Sequence, residues 1–209
     1  FDANDGTNKN RKELFYGPDG KVPKWDGTKG QDVVVYGEQG IGDEISFASC
    51  IPDLIRDSKS VTIECDKRLT GLFRRSFPDC DVHGTRYKDE RPLATRNFDA
   101  KVLLGALPGF YRLKDADFPG TPYLTPNPEM AVAWEALLAA LGPKPMIGIS
   151  WVGGIPKTGQ RRRSVTLDTY APLFKAIDAH WVSLQYKDHE GIKEAEEKHV
   201  AIGHFNISN

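Results

Sequence analysis

The chain has 209 residues and a net charge of −1, with 39% hydrophobic and 27% charged residues. That balance predicts a packed core rather than a disordered chain. It argues against a broad basic footprint for nucleic acid, and no apolar run approaches the roughly 20 residues that span a bilayer. The three cysteines, Cys50, Cys65 and Cys80, form no CxxC pair. An odd, sparse set fits a reducing compartment, so a cytoplasmic address is expected. Phe1 is not an initiator methionine, and the chain is read as a fragment of a longer protein.

Residues 1–29 are polar and read as a linker or tail, with Trp25 the residue placed to dock. The stretch Asp32–Ile55 follows, DVVVYGEQGIGDEISFASCIPDLI. Val33–Tyr36 reads as a buried strand. Gly37, Gly40 and Gly42 allow a sharp turn and close approach of a ligand. Ile45, Ala48, Ile51 and Ile55 fall three or four apart, as on one face of a helix that Pro52 should kink or divide.

Ser60–Cys65 is a second strand and Leu69–Phe77 a short helix. Asp81–His83 is a possible third strand, and Phe98–Leu104 a further buried one. A glycine-proline turn is expected through Gly105–Gly109 and a loop through Asp115–Pro126. Glu129–Leu141 reads as a helix with Met130, Trp134, Leu137, Leu138 and Leu141 on one face.

Gly142–Pro145 is the best domain boundary, and the strand-helix pattern restarts after it. Met146–Ser150 is a strand, Trp151–Val165 a loop rich in glycine and arginine, and Asp168–Ala179 a helix. Trp181–Gln185 is a strand, His189–Lys198 a charged helix, and His199–Ile202 the possible start of another strand. Strands alternating with helices predict parallel sheets and the α/β class. The expected domains are 30–142 and 143–209, the second an incomplete Rossmann-like domain.

Two stretches could carry chemistry. The turn after the first strand has a GxxGxG pattern, and Glu64 ends the next strand, as in a dinucleotide fingerprint. Asp43 and Glu44 weigh against that use: they place two negative charges where a pyrophosphate would sit, and crowded like charges are costly in a desolvated site. Both acids also suit the positive end of a helix, a structural role worth about 0.3–1 kcal/mol each. Asp43, in a glycine turn on a ligand edge, is nonetheless the candidate proton acceptor for a hydroxyl.

The loop Trp151–Val165 lies on a second ligand edge. Gly153 and Gly154 permit close approach, and Thr158, Arg163 and Ser164 offer donors to a phosphate. Arg161 and Arg162 read as solvated. The triplets Asp79-Cys80-Asp81 and Asp115-Ala116-Asp117 are discounted as chance. The five histidines show no metal-ligand spacing, so neither a metal nor a bound cofactor is expected.

GEQGIGDEISFASCIPDLI at Gly37–Ile55, RLTGLFRRSFP at Arg68–Pro78, IGISWVGGIPKTGQRRRSVTL at Ile147–Leu167 and VSLQYKD at Val182–Asp188 carry a resemblance. The chain resembles bacterial proteins with tetratricopeptide repeats followed by a glycosyltransferase-like domain. That domain is similar to the heptosyltransferase-type family of GT-B enzymes. The resemblance covers most of residues 25–205 and implies two Rossmann-like domains facing a cleft. It implies metal-independent, inverting transfer from a nucleotide-sugar donor to a glycan or protein acceptor. Asp43 matches the family's proposed base, with Gly40, Gly42 and Glu44 in the acceptor-side loop. Gly153, Gly154, Thr158, Arg163 and Ser164 fall in the loop that holds the donor diphosphate, helped by a helix near Asp168. The chain stops before the family's later sugar-nucleotide contacts. The fragment alone is therefore expected to be inactive, with a sheet edge that could pair with a second copy. Two other readings stand beside this one: an NAD(P)-dependent oxidoreductase using Glu64, and a degenerate transferase domain kept for binding.

Overall fold

The computed structural model describes residues 21–37, 40–85, 93, 96–153, 162–185, 190–198 and 202–203. The chain forms two compact units, Phe1–Pro128 and Glu129–Asn209. Both are α/β with parallel, Rossmann-like sheets.

In the first unit β1 (Asp32–Tyr36) is followed by α1 (Ile41–Phe47), a 3₁₀ turn at Ala48–Cys50, and α2 (Ile51–Asp57). Pro52 divides the helical segment as expected, lying in the first turn of α2, where its missing N–H breaks no bond. Then come β2 (Ser60–Glu64), a 3₁₀ turn at Lys67–Leu69, α3 (Thr70–Ser76), β3 (Asp81–His83) and β4 (Ala100–Leu103). The sheet order is β3-β2-β1-β4, all parallel. Val33, Val34 and Val35 are fully buried because β1 is central and covered on both faces. Val33 and Val35 face Ile51, Leu54, Phe73 and Phe77. Val34 faces Val22 and Leu93 on the other side.

Three local expectations are corrected. Residues 22–25 are not all linker. Val22 is buried as well as Trp25, and the segment adds a bridge at the β4 edge, with Trp25 N–H donating to Lys101 O (2.8 Å) and Lys101 N–H to Pro23 O (2.8 Å). The segment expected as a glycine-proline turn is instead a 3₁₀ turn at Leu104–Ala106 leading into α4 (Pro108–Tyr111). Leu104 and Leu107, one turn apart, are both buried, and Pro108 is pre-shaped for a first helical position. A 3₁₀ turn also occupies Asp115–Asp117, where the Asp117 carboxylate accepts the Leu113 and Lys114 N–H groups.

The second unit begins with α5 (Pro128–Ala139), so it starts earlier in the chain than Gly142–Pro145. The expected apolar face of α5 is only half right. Trp134 and Leu138 are half-buried, whereas Met130 and Leu137 are exposed, and no residue of α5 is fully buried. Next come β5 (Met146–Ile149), a 3₁₀ turn at Leu167–Tyr170, α6 (Ala171–Ala176), β6 (His180–Ser183), α7 (Glu190–Lys198) and β7 (Ile202–Gly203). The strands pair in parallel in the order β5-β6-β7. Ile149, Trp151, Leu167, Trp181, Ile192 and Ile202 form the core, with Phe174 edge-on to Trp181. Among the described residues no helix is long and apolar enough to cross a membrane.

Candidate functional site

In the first unit the chain runs outward from β1 to β2 and β3, then returns to the opposite side of β1 as β4. The crevice at the carboxyl ends of β1 and β4 is therefore the topological switch point, where open α/β sheets bind ligands. Gly37 and the start of α1 lie at this end of β1, with the Leu104–Ala106 turn packed beside α1.

Gly37 N–H donates to Glu64 O (2.8 Å), carrying the β1–β2 ladder one step past the strand end. Gly40 is extended at the helix N-cap. Asp43, at the third helical position, accepts the Gly40 N–H on Oδ2 (3.0 Å). This cap contact is a structural role beyond the helix-dipole pairing weighed from sequence. Asp43 and Gly42 are exposed.

Glu44 behaves differently from its neighbour. It is 1% exposed, and its Oε2 accepts the Asp66 N–H (3.0 Å). Its carboxyl group fills the space above Gly37, so any Cβ there would collide with it. Glu44 thus couples the turn after β1 to the turn after β2. Glu64 is equally buried and accepts the Thr85 hydroxyl on Oε1 (2.9 Å). Asp66 caps the Lys67–Leu69 turn through the Arg68 N–H and takes the Arg68 guanidinium through both carboxylate oxygens (3.0 Å each). Hydrogen bonds from that guanidinium hold the Asp66 carboxyl below its ordinary value.

The sequence placed Asp43 and Glu44 together in the acceptor-side loop. The structure separates them into an exposed acid and a buried one. The signal for this was present in the helical spacing: Glu44, Ala48 and Ile51 lie at i, i+4 and i+7, and all three are buried.

In the second unit the segment after β5 is held at both ends. Val165 N–H donates to Trp151 O (2.9 Å), and Gly153 N–H to Ser164 Oγ (3.3 Å). A Cβ on Gly153 would approach Arg163 O to 3.2 Å, so the glycine permits the two arms to meet. Arg163 is exposed and Ser164 half-buried. The structure thus brings Gly153, Arg163 and Ser164 together. Gly154, Thr158 and Arg161 lie outside the described residues. The helix expected from Asp168 begins as the 3₁₀ turn at Leu167–Tyr170 and continues for six residues as α6.

Sequence reasoning missed Gln185. Its Oε1 accepts the Trp151 and Val152 N–H groups (3.2 and 2.9 Å), and its Nε2 donates to Val152 O (3.0 Å). The available signal was a polar residue at the carboxyl end of a buried strand.

The chain is similar to protein FlbA of Caulobacter vibrioides. The two are 28% identical over 182 residues, which is 80% of this chain and 30% of FlbA. The chain thus spans under a third of the length of that curated relative. No family model matches the sequence, and no solved structure matches it.

Proposed function

We propose that this chain is part of a longer bacterial glycosyltransferase of the GT-B type. It would transfer a sugar, with inversion and without a metal, from a nucleotide-sugar donor to a hydroxyl of a glycan or protein. The observation that carries the reading is the division of labour in the turn after β1. Glu44 and Glu64 are buried and hydrogen-bonded, while Asp43 is exposed near the switch point with its carboxylate accepting the Gly40 N–H. An exposed, oriented carboxylate suits removal of a proton from an acceptor hydroxyl. In the second unit Gly153, after β5, allows close approach, and Arg163 and Ser164 beside it are donors suited to a diphosphate. The similarity to FlbA, which extends well beyond the region matched, supports placement in a longer chain.

The same turn disfavours the oxidoreductase reading. A pyrophosphate approaching Gly37 would meet the Glu44 carboxylate, and the Glu64 carboxylate already accepts the Thr85 hydroxyl. The deciding experiment is a thermal-shift screen of the intact protein against nucleoside diphosphates, nucleotide sugars and NAD(H). Stabilisation by a nucleoside diphosphate and its sugar conjugate supports the transferase. Stabilisation by NAD(H), abolished in Glu64→Ala, overturns it. Nucleotide-sugar binding without turnover assigns the domain to binding alone.

A further inference from the structure

We propose that Gln185 is the positioning residue of the second unit, holding Trp151–Gly153 in the form that presents Gly153, Arg163 and Ser164 to a diphosphate. The ligand in this statement rests on the transferase reading above; the positioning does not.

The argument begins at the end of the sheet. The β5–β6 register closes at Ile149 and Ser183, and Leu184 N–H makes the last ladder bond, to Ile149 O (2.8 Å). Beyond it Gln185 N–H donates to Ser183 Oγ (3.2 Å) rather than to β5. No strand remains beside Trp151 and Val152 to satisfy their peptide groups, among the described residues. The Gln185 side chain supplies what that strand would have supplied. Its oxygen accepts two successive N–H groups and lies 3.4 Å from Ser150 Oγ, while its nitrogen donates to Val152 O. The side-chain amide is a planar group with a donor and an acceptor side by side, which is what a peptide edge requires. The paired bonds also settle which end of the amide is oxygen, since two N–H groups face it.

Below this clamp the segment is tied again, with Tyr170 Oη donating to Ser150 O (3.0 Å) and Val165 N–H to Trp151 O (2.9 Å). Trp151 is 4% exposed, anchored in the core. The arm that carries Gly153 therefore has its direction set by Gln185 and its depth set by Trp151. The arm that carries Arg163 and Ser164 is registered against the first through Gly153. Loosening the amide clamp releases Gly153 from Ser164 and disperses the donors.

The test uses the whole chain, isotope-labelled, with amide exchange as one readout and titration of inorganic pyrophosphate as the other. In Gln185→Met, which matches the length without polar atoms or charge, Trp151 and Val152 should exchange about ten-fold faster. Trp181 and Val182, on β6, should keep their protection, which shows that the fold is intact. Pyrophosphate affinity should fall about ten-fold as the Gly153 N–H no longer holds Ser164 Oγ and the Arg163–Ser164 arm loses its register. In Gln185→Glu a protonated carboxyl group offers the same acceptor and donor. The ionised carboxylate still accepts the two N–H groups but cannot donate to Val152 O. Val152 should therefore be partly protected at neutral pH and gain protection as pH falls through that carboxyl's titration, a profile that mere space-filling would not produce. Unchanged protection in both variants overturns the proposal. Protection lost with pyrophosphate binding unchanged also overturns it, because the clamp would then not serve the ligand. Protection lost in Gln185→Met, with no pyrophosphate binding even in the wild type, supports the positioning role and removes the diphosphate from it.

Discussion

Gly37 has no side chain because the Glu44 carboxyl group stands where one would be. The two residues lie on either side of the turn after β1, and the contact locks the strand end against the helix that carries Asp43. Gly37→Ala should destabilise the first unit by about 1–3 kcal/mol, the usual cost of overpacking. Glu44→Ala alone should also destabilise, since it leaves the Asp66 N–H without its acceptor. If the contact is the cause, the double variant should recover part of the Gly37→Ala loss. A denaturant double-mutant cycle reads this directly, and strict additivity would refute it.

The cap contact of Asp43 and its proposed role as proton acceptor can be separated. Asp43→Asn keeps an oxygen to accept the Gly40 N–H, so the melting temperature should hold. Turnover of the full-length protein should drop roughly 10²- to 10⁴-fold with donor affinity nearly unchanged. Asp43→Ala should lose both turnover and about 0.5–1.5 kcal/mol of stability from the missing hydrogen bond. Equal turnover in wild type and Asp43→Asn would remove the residue from catalysis.

The Asp66–Arg68 pair makes acid stability predictable in sign. Hydrogen bonds from Arg68 lower the folded-state pKa of Asp66 below its unfolded value, which is near 3.9. The stabilisation is present above that value and is lost as pH falls through the lower, folded one. Asp66→Asn should therefore reduce stability at neutral pH and flatten the decline on the acid side of about pH 4. A parallel acid limb in wild type and variant would assign the pH dependence elsewhere.

Arg112 joins segments distant in sequence. Its Nη2 contacts Asp53 Oδ2 and Ser49 O (2.8 Å each), its Nη1 donates to Tyr111 O (2.9 Å), and its side chain is 4% exposed. Arg112→Met keeps the apolar stem and removes the charge. It should cost about 1.5–3 kcal/mol, because two carbonyls lose a charged donor and Asp53 is left with Arg56. Asp53→Asn, at a more exposed position, should cost less. The reverse order, measured by urea unfolding, would show that the carboxylate rather than the guanidinium carries the contact.

Much of the architecture is legible without coordinates, because it rests on short-range periodicity. The run Val33–Tyr36, the apolar spacing through Ile55 and the break at Pro52 follow from steric rules that act over a few residues. They place the strands and helices in order and fix the parallel class. The same locality marks the segment after β1 as a candidate ligand edge, since glycines and acids signal through their own backbone preferences. What it could not settle is the partner of the buried acid: the spacing of Glu44 with Ala48 and Ile51 marks it as inward-facing, but not the Asp66 N–H it meets. Asp43 and Glu44 are adjacent and chemically alike, and their fates diverge because the helix rotates one towards Gly37 and the Asp66 N–H. Nor could it foresee α4, where burial of Leu104 and Leu107 overrides the glycines around them, or Gln185, whose partners lie 33 and 34 residues away. Those outcomes depend on which peptide groups the sheet leaves unpaired at its carboxyl edge. That is decided only when distant strands align, so the chain order alone determines the elements, and the assembled sheet determines which side chains complete its edge.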